Sequence, residues 1–88
     1  MSAGSITILY FAWMREHTGT ARETMALPDG AATVGDLIPI LLRQSKGHAT
    51  ALKDMLAVRV AVNRVYGDLQ SPINDGDELA FFPPVTGG

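Results

Sequence analysis

No cysteine occurs anywhere in this chain of 88 residues. That single absence removes disulfide staples, thiolate metal sites and cysteine nucleophiles together, so a short chain must hold its fold by packing alone. A domain of this size buries roughly 60–65% of the surface its unfolded chain exposes. The stability that follows is modest, about 4–13 kcal/mol. Two domains would leave neither half enough core, so the length implies one. Hydrophobic residues make up 47% of the chain and charged residues 18%, a globular rather than a disordered profile.

Charge and targeting signals narrow the function classes. The formal charge is -2 and the seven Lys and Arg are scattered, without the basic stripe of a nucleic-acid binder. The apolar run from Ile6 to Met14 is broken by Thr7 and stops at Arg15. It is too short to span a bilayer, and the chain start lacks a basic n-region and a cleavage site. The sequence therefore reads as a cytoplasmic protein with neither a membrane nor a nucleic-acid partner.

Hydrophobic periodicity sets the order of elements. Ile6 to Phe11 is β-branched and aromatic and reads as a strand, with Ile6, Ile8 and Tyr10 on one face and Leu9 and Phe11 on the other. Both faces are apolar apart from Thr7, which suits a central strand. A helical turn over Ala12 to His17, closed by Gly19, precedes a second strand, Arg22 to Leu27, ended by Pro28-Asp29-Gly30. Thr33 is the expected N-cap of the clearest helix, with Asp36 in capping-box position. Val34, Leu37, Ile38, Leu41 and Leu42 form its apolar stripe. Pro39 removes a donor within it, so a bend or a wider first turn is expected. Lys46-Gly47 is expected to end this helix, and Ala49 to Leu56 to form another, with Leu52, Met55 and Leu56 inward. Val58 to Val62 alternates as a third strand, and Val65-Tyr66 is expected to pair back after a turn at Asn63-Arg64. The turn Asn74-Asp75-Gly76-Asp77 leads to a last strand, Glu78 to Phe82, stopped by Pro83-Pro84.

Two strands, a crossover helix and a return strand suit a mixed sheet with helices packed on one face, an α+β layout. The β-grasp, or ubiquitin-like, arrangement is the simplest solution. It assigns residues 1–82 to the domain and 83–88 to an extended flexible tail. The last strand then runs beside the first, bringing Phe82 near Leu9 and Phe11 on the face away from the helix.

An enzyme site of its own is not visible. There is no GxxxxGK loop, no GxGxxG and no HExxH. His17 and His48 stand far apart with no carboxylate at ligand spacing, so both are read as surface residues and no metal site is expected. Asp75, Asp77 and Glu78 lack calcium-loop spacing and read as a solvated turn. Asp36 reads as a helix cap before an acid catalyst.

The chain end is different. It runs Phe81-Phe82-Pro83-Pro84-Val85-Thr86-Gly87-Gly88. Two prolines direct a tail away from the body, and six extended residues from Pro83 reach about 20 Å. Glycine lacks Cβ, so such a tip can enter a channel that any side chain would block. The terminal carboxyl, with a pKa of about 3.5, is an anion at neutral pH and a poor electrophile. Activation by ATP to an acyl-adenylate would make its carbon attackable, and attack by sulfur would leave a thiocarboxylate. Without cysteine, the terminus is the one candidate for carrying sulfur.

The segment Asp75 to Gly88 resembles the ending of molybdopterin synthase small subunits, within the ubiquitin-like sulfur carrier family. Ile8-Leu9-Tyr10-Phe11-Ala12, Arg15-Glu16, Gly19, Thr33-Val34 and Ala61-Val62-Asn63 fit the same family in order. The resemblance implies that Gly88 is adenylated by an ATP-using activating enzyme and converted to a thiocarboxylate. It would then donate sulfur to cyclic pyranopterin monophosphate to form the molybdopterin dithiolene. It implies no bound cofactor, ATP being used by the adenylyltransferase, and no catalysis by the carrier alone. Catalytic residues are expected on the large synthase subunit. Gly87, Thr86, Val85, Pro84 and Pro83 would thread into that subunit, with Phe82 and Phe11 in the docking surface. The alternative for the two phenylalanines is that they cover core beneath a loop. Alternatives for the whole chain are a sulfur carrier for thiamine or tRNA thiolation, a protein modifier joined to lysines, and a β-grasp binding module with an inert tail.

Overall fold

The computed structural model describes residues 4–54 and 57–84. Its first strand, β1 (Ser5–Tyr10), is followed by a one-and-a-half-turn helix, α1 (Trp13–Thr18), closed by Gly19 at φ 81° in the left-handed conformation that glycine adopts freely. β2 (Arg22–Ala26) pairs antiparallel with β1, Ile8 opposite Glu23. Two helices, α2 (Val34–Leu42) and α3 (Lys46–Leu52), cross to β3 (Arg59–Val62). A tight hairpin gives β4 (Val65–Gly67), and β5 (Glu78–Phe82) returns to the centre. The sheet order is β2-β1-β5-β3-β4, with β1 and β5 parallel and the other pairings antiparallel. This is the expected β-grasp, with β1 an interior strand between β2 and the central β5.

Period two decides which face of the sheet is sealed. Ile6, Ile8 and Tyr10 of β1 and Leu79 and Phe81 of β5 are buried, against Leu37 and Leu41 of α2, Leu52 of α3 and Met14 of α1. The stripe read along α2 is the buried one, with Leu42 half-buried at its margin. Each large side chain sealed in this way contributes roughly 1.5–3 kcal/mol, which is how a chain without staples stays folded.

The N-terminus of α2 is held by chain carbonyls. Val34 N–H donates to the Ser71 carbonyl at 3.0 Å and Gly35 N–H to the Leu69 carbonyl at 2.7 Å. A Cβ at position 35 would lie 3.0 Å from that Leu69 oxygen, so glycine permits the approach. Asp36 is the reciprocal cap, its Oδ2 accepting from Ala32 and Thr33 N–H at 2.8 and 3.1 Å. These two bonds hold its carboxyl below the usual carboxylate range. Pro39 lies within α2 on its exposed side.

The helix boundaries differ from the expectation. α2 stops at Leu42, tightening into three-residue bonds from Arg43 to Ile40 and from Gln44 to Leu41. Lys46 and Gly47 open the next helix rather than closing this one, because Ser45 caps it, its Oγ accepting from His48 N–H at 3.1 Å. Gly47 is there for a different reason from termination. A Cβ on it would collide with the His17 carbonyl of α1, so glycine lets α3 press onto α1. α3 ends at Leu52, which is buried, while Met55 and Leu56 lie outside the described residues.

Candidate functional site

Glu78 to Phe82 forms a strand because its residues alternate between core and open face, and Pro83 and Pro84 then break the pairing. The root of the tail therefore sits where β1 and β5 end side by side. Tyr10 pairs with Phe81, and Phe11 N–H donates to the Phe81 carbonyl at 3.1 Å. One step further along this register, Phe11 and Phe82 fall on the face opposite the helices. Phe11 is 47% exposed, whereas Phe82 is half-buried against the edge of the core. Pro83 and Pro84 are also half-buried. Val85, Thr86, Gly87 and Gly88 lie outside the described residues.

Sequence reasoning missed a third aromatic. Tyr66 of β4 is 76% exposed, and its ring centroid lies 5.7 Å from that of Phe82 with the planes tilted by 47°. Between Tyr66 and Leu9 the same row of the sheet carries only Ala61 and Ala80. Two large rings rising beside two methyl groups make a stepped apolar surface. A shallow groove of about 280 Å³ opens beside the two rings, lined by Arg59, Val60, Tyr66, Gly67 and Phe82. A second groove of about 320 Å³ shares Arg59, Val60 and Gly67 and continues to Val58, Asp68 and Leu69. An exposed ring resting on a half-buried one, with Phe11 exposed at the end of the neighbouring strand, has the anatomy of a docking surface. The available sequence signal was the alternation in a strand too short to show it clearly.

His17 is exposed, as read, but His48 is buried and the reading of it as a surface residue is corrected. Its ring is engaged at both nitrogens, Nε2 with Glu23 Oε2 at 2.7 Å and Nδ1 with Ser45 Oγ at 2.7 Å. Glu23 Oε2 also accepts from the Tyr10 hydroxyl at 2.6 Å. Burial, and then the bond to Glu23 and its charge, push the Tyr10 hydroxyl far above the usual tyrosine range, so it stays protonated and donates. A serine, a histidine and a glutamate in a row have the composition of a nucleophilic relay. Here the serine oxygen serves as a helix cap and the glutamate sits beneath a core tyrosine, so the row ties β1, β2 and α3 together.

Asp75 and Asp77 secure the approach to β5. Asp75 Oδ1 accepts from Ser5 N–H at 2.9 Å, and Asp77 Oδ2 accepts from Asn74 N–H at 2.7 Å. Among the described residues no group of three or more His, Cys, Asp or Glu could hold a metal ion. None of the described helices is long and apolar enough to cross a membrane.

Residues 8–88 match the ThiS family. Among curated relatives, the molybdopterin synthase sulfur carrier subunit of Escherichia coli (strain K12) is 44% identical over 85 residues, covering 94% of this chain and 99% of that one. Among solved structures, SAMP1 from Haloferax volcanii superposes with a TM-score of 0.72 at 33% identity, over 97% of this chain and 100% of that one. A complex of subunits 1 and 2 of molybdopterin-converting factor from Helicobacter pylori 26695 contains a similar chain. That match has a TM-score of 0.61 at 25% identity and covers 96% of this chain and 99% of that one.

Proposed function

The chain belongs to the ThiS family, and on that premise we propose that it is the sulfur carrier of a molybdopterin synthase, working through the carboxyl group of Gly88. The observation that carries the reading is the family match running through the last residue, beyond a strand whose end stands beside an open apolar surface. The likeness to a molybdopterin synthase sulfur carrier subunit over 94% of the chain supports the cofactor pathway in particular. The similar chain in a two-subunit complex supports a large-subunit partner.

The chemistry follows from the weakness of a carboxylate as an electrophile. An activating enzyme joins a Gly88 oxygen to the α-phosphorus of ATP, and pyrophosphate leaves. A sulfur nucleophile at the sulfide level then attacks the acyl carbon, and AMP departs with the bonding oxygen. The thiocarboxylate that remains is a sulfur nucleophile. In the large subunit its sulfur bonds to a carbon of cyclic pyranopterin monophosphate, the carbon–oxygen bond it replaces breaks and that oxygen leaves with the bonding pair. Water then cleaves the acyl–sulfur bond to restore the carboxylate. A dithiolene holds two sulfurs, so two charged carriers are consumed per product. This chain's own residues present the tail and dock it. Phe11, Phe82 and Tyr66 supply the apolar contact, and the two prolines aim the tip. The acids and bases of the transfer come from the partner.

Intact mass spectrometry tests this. Incubation with the activating enzyme, ATP and a sulfur donor is expected to replace one oxygen of the chain by sulfur, at Gly88. An unchanged mass, under conditions that charge a known carrier, refutes the proposal. Conjugates of higher mass on other proteins would favour a modifier instead.

A further inference from the structure

Where β1 gives way to α1, Ala12 takes φ 56° and ψ -134°. It is the first central residue of a tight turn closed by Met14 N–H, which donates to the Phe11 carbonyl at 3.2 Å. These angles are close to those of a type II′ turn, whose first central position is the ordinary place of glycine. An L-residue is strained there because its Cβ crowds the backbone. The turn itself is forced. Phe11 N–H is committed to Phe81 in the sheet, and Met14 must reach the core. The reversal at Ala12 satisfies both.

The alanine at this position is not forced. Glycine would make the same reversal without strain, and Ala12 is exposed, so its methyl group gains little packing within the chain. Strain that the fold does not need collects at binding sites. Ala12 adjoins Phe11, at the end of the sheet from which Pro83 leaves β5.

We propose that the Ala12 methyl group is a contact for the large subunit that receives the tail. It would carry the surface of Phe11, Phe82 and Tyr66 around the end of the sheet onto the start of α1. This rests on the docking surface of the proposed function and adds a residue to it. The partner then presents a close-fitting apolar concavity to this corner, one that excludes water from a single methyl group.

The test is Ala12→Gly in the full chain, titrated by calorimetry against the large subunit, with thermal unfolding measured in parallel. Relief of strain is expected to raise the melting temperature by about 3–6 °C. Loss of one buried methyl group is expected to weaken Kd about three- to fivefold. A role confined to the fold would raise the melting temperature and leave Kd unchanged. That result overturns the proposal, as does an unchanged or lower melting temperature. Phe11→Ala, titrated alongside, separates the two readings. If it binds at full strength, the docking surface itself is refuted. If it binds weakly while Ala12→Gly keeps full affinity, only the role of Ala12 falls.

Discussion

The ring of Tyr66 leans on that of Phe82 at 5.7 Å, on the open face of the sheet, while Phe81, one residue before Phe82, is sealed in the core. Alternation along one strand thus divides two adjacent phenylalanines between the core and the open face. Tyr66→Ala removes a ring that is 76% exposed, so stability is expected to change by no more than about 0.5 kcal/mol. If the ring anchors the large subunit, affinity falls about tenfold or more. Phe82→Ala is expected to weaken binding at least as much and also to cost about 1–2 kcal/mol of stability, because its ring borders the core. Calorimetric titration and thermal unfolding separate the two effects. A Tyr66→Ala chain of wild-type affinity would remove the ring from the interface.

The shared carboxylate of Glu23 makes a second, independent prediction. Glu23→Ala leaves the Tyr10 hydroxyl and a His48 ring nitrogen, both in the interior, without their acceptor. The expected loss is about 2–3 kcal/mol, or about 10–20 °C in melting temperature. Tyr10→Phe removes one donor and is expected to cost about 1 kcal/mol. In the double variant the two losses should fall short of their sum, since the second change deletes a bond the first has already broken. Strict additivity would show that the 2.6 Å bond contributes nothing.

Alkaline pH probes the same hydroxyl. In the folded chain the Tyr10 proton is held far above the ordinary tyrosine range, whereas the unfolded chain releases it near pH 10. Above that pH the folded state binds more protons than the unfolded one. Stability therefore falls as pH rises, by up to about 1.4 kcal/mol per unit from this group. Below about pH 10 the contribution is fully present. Unfolding curves from pH 8 to 11.5 should show a steeper decline for the wild type than for Tyr10→Phe, and parallel curves would refute the assignment. Asp36 behaves oppositely. Its carboxyl is held low by two backbone donors, so its stabilisation is lost as pH falls below the ordinary carboxylate range, and Asp36→Ala should flatten that acid limb.

Which of these features could be read from residue order depends on the range of the interaction. The Thr33–Asp36 cap, the Asn74–Asp77 turn and the alternation of β1 and β5 are local, so spacing alone reveals them. His48 was misread because its partner Glu23 lies 25 positions earlier, and only the packing of α3 against the sheet brings them together. Gly47 misled for a subtler reason. Helix termination and close helix contact both call for a missing Cβ, and the sequence does not distinguish them. Tyr66 was read only as part of a pairing segment, because a strand of three residues at a sheet edge shows too little periodicity to assign its face. Of the candidate site, the tip from Val85 to Gly88 rests on sequence and family alone, while its root, at Phe11 and Phe82, has a defined place in the fold.

The β3–β4 hairpin carries a correctable strain. Asn63 and Arg64 have φ of 51° and 70°, the double left-handed pattern of a type I′ turn, for which Asn-Gly is preferred. Arg64 also reaches Glu78 at 3.9 Å, but its side chain is 90% exposed. Such a pair is worth about 0–1 kcal/mol and usually little. Arg64→Gly is therefore expected to gain about 0.5–1 kcal/mol, net of the added freedom of the unfolded chain. Denaturant unfolding decides the sign, and a loss of stability would mean that the ion pair outweighs the turn.

The last prediction concerns the tip. Deleting Gly88 leaves a chain that still ends in glycine and still carries a terminal carboxylate, so charge, solubility and the described fold are all preserved. What changes is reach, by one residue or about 3.5 Å, and a displacement far smaller than that already misplaces reacting atoms, since they must approach to about 3–3.5 Å. Adding one alanine after Gly88 is expected to fail for a complementary reason, because on the proposed function it would both overshoot and bring a Cβ to where glycine alone enters. Both variants are expected to melt within about 1 °C of the wild type, since neither changes a residue of the described fold, and to bind the large subunit through Phe11, Phe82 and Tyr66 with little loss. Both should nevertheless leave molybdopterin formation at background in a reconstituted assay. If the shortened chain supports synthesis, the acyl carbon of Gly88 is not the sulfur-bearing atom, however well the chain docks.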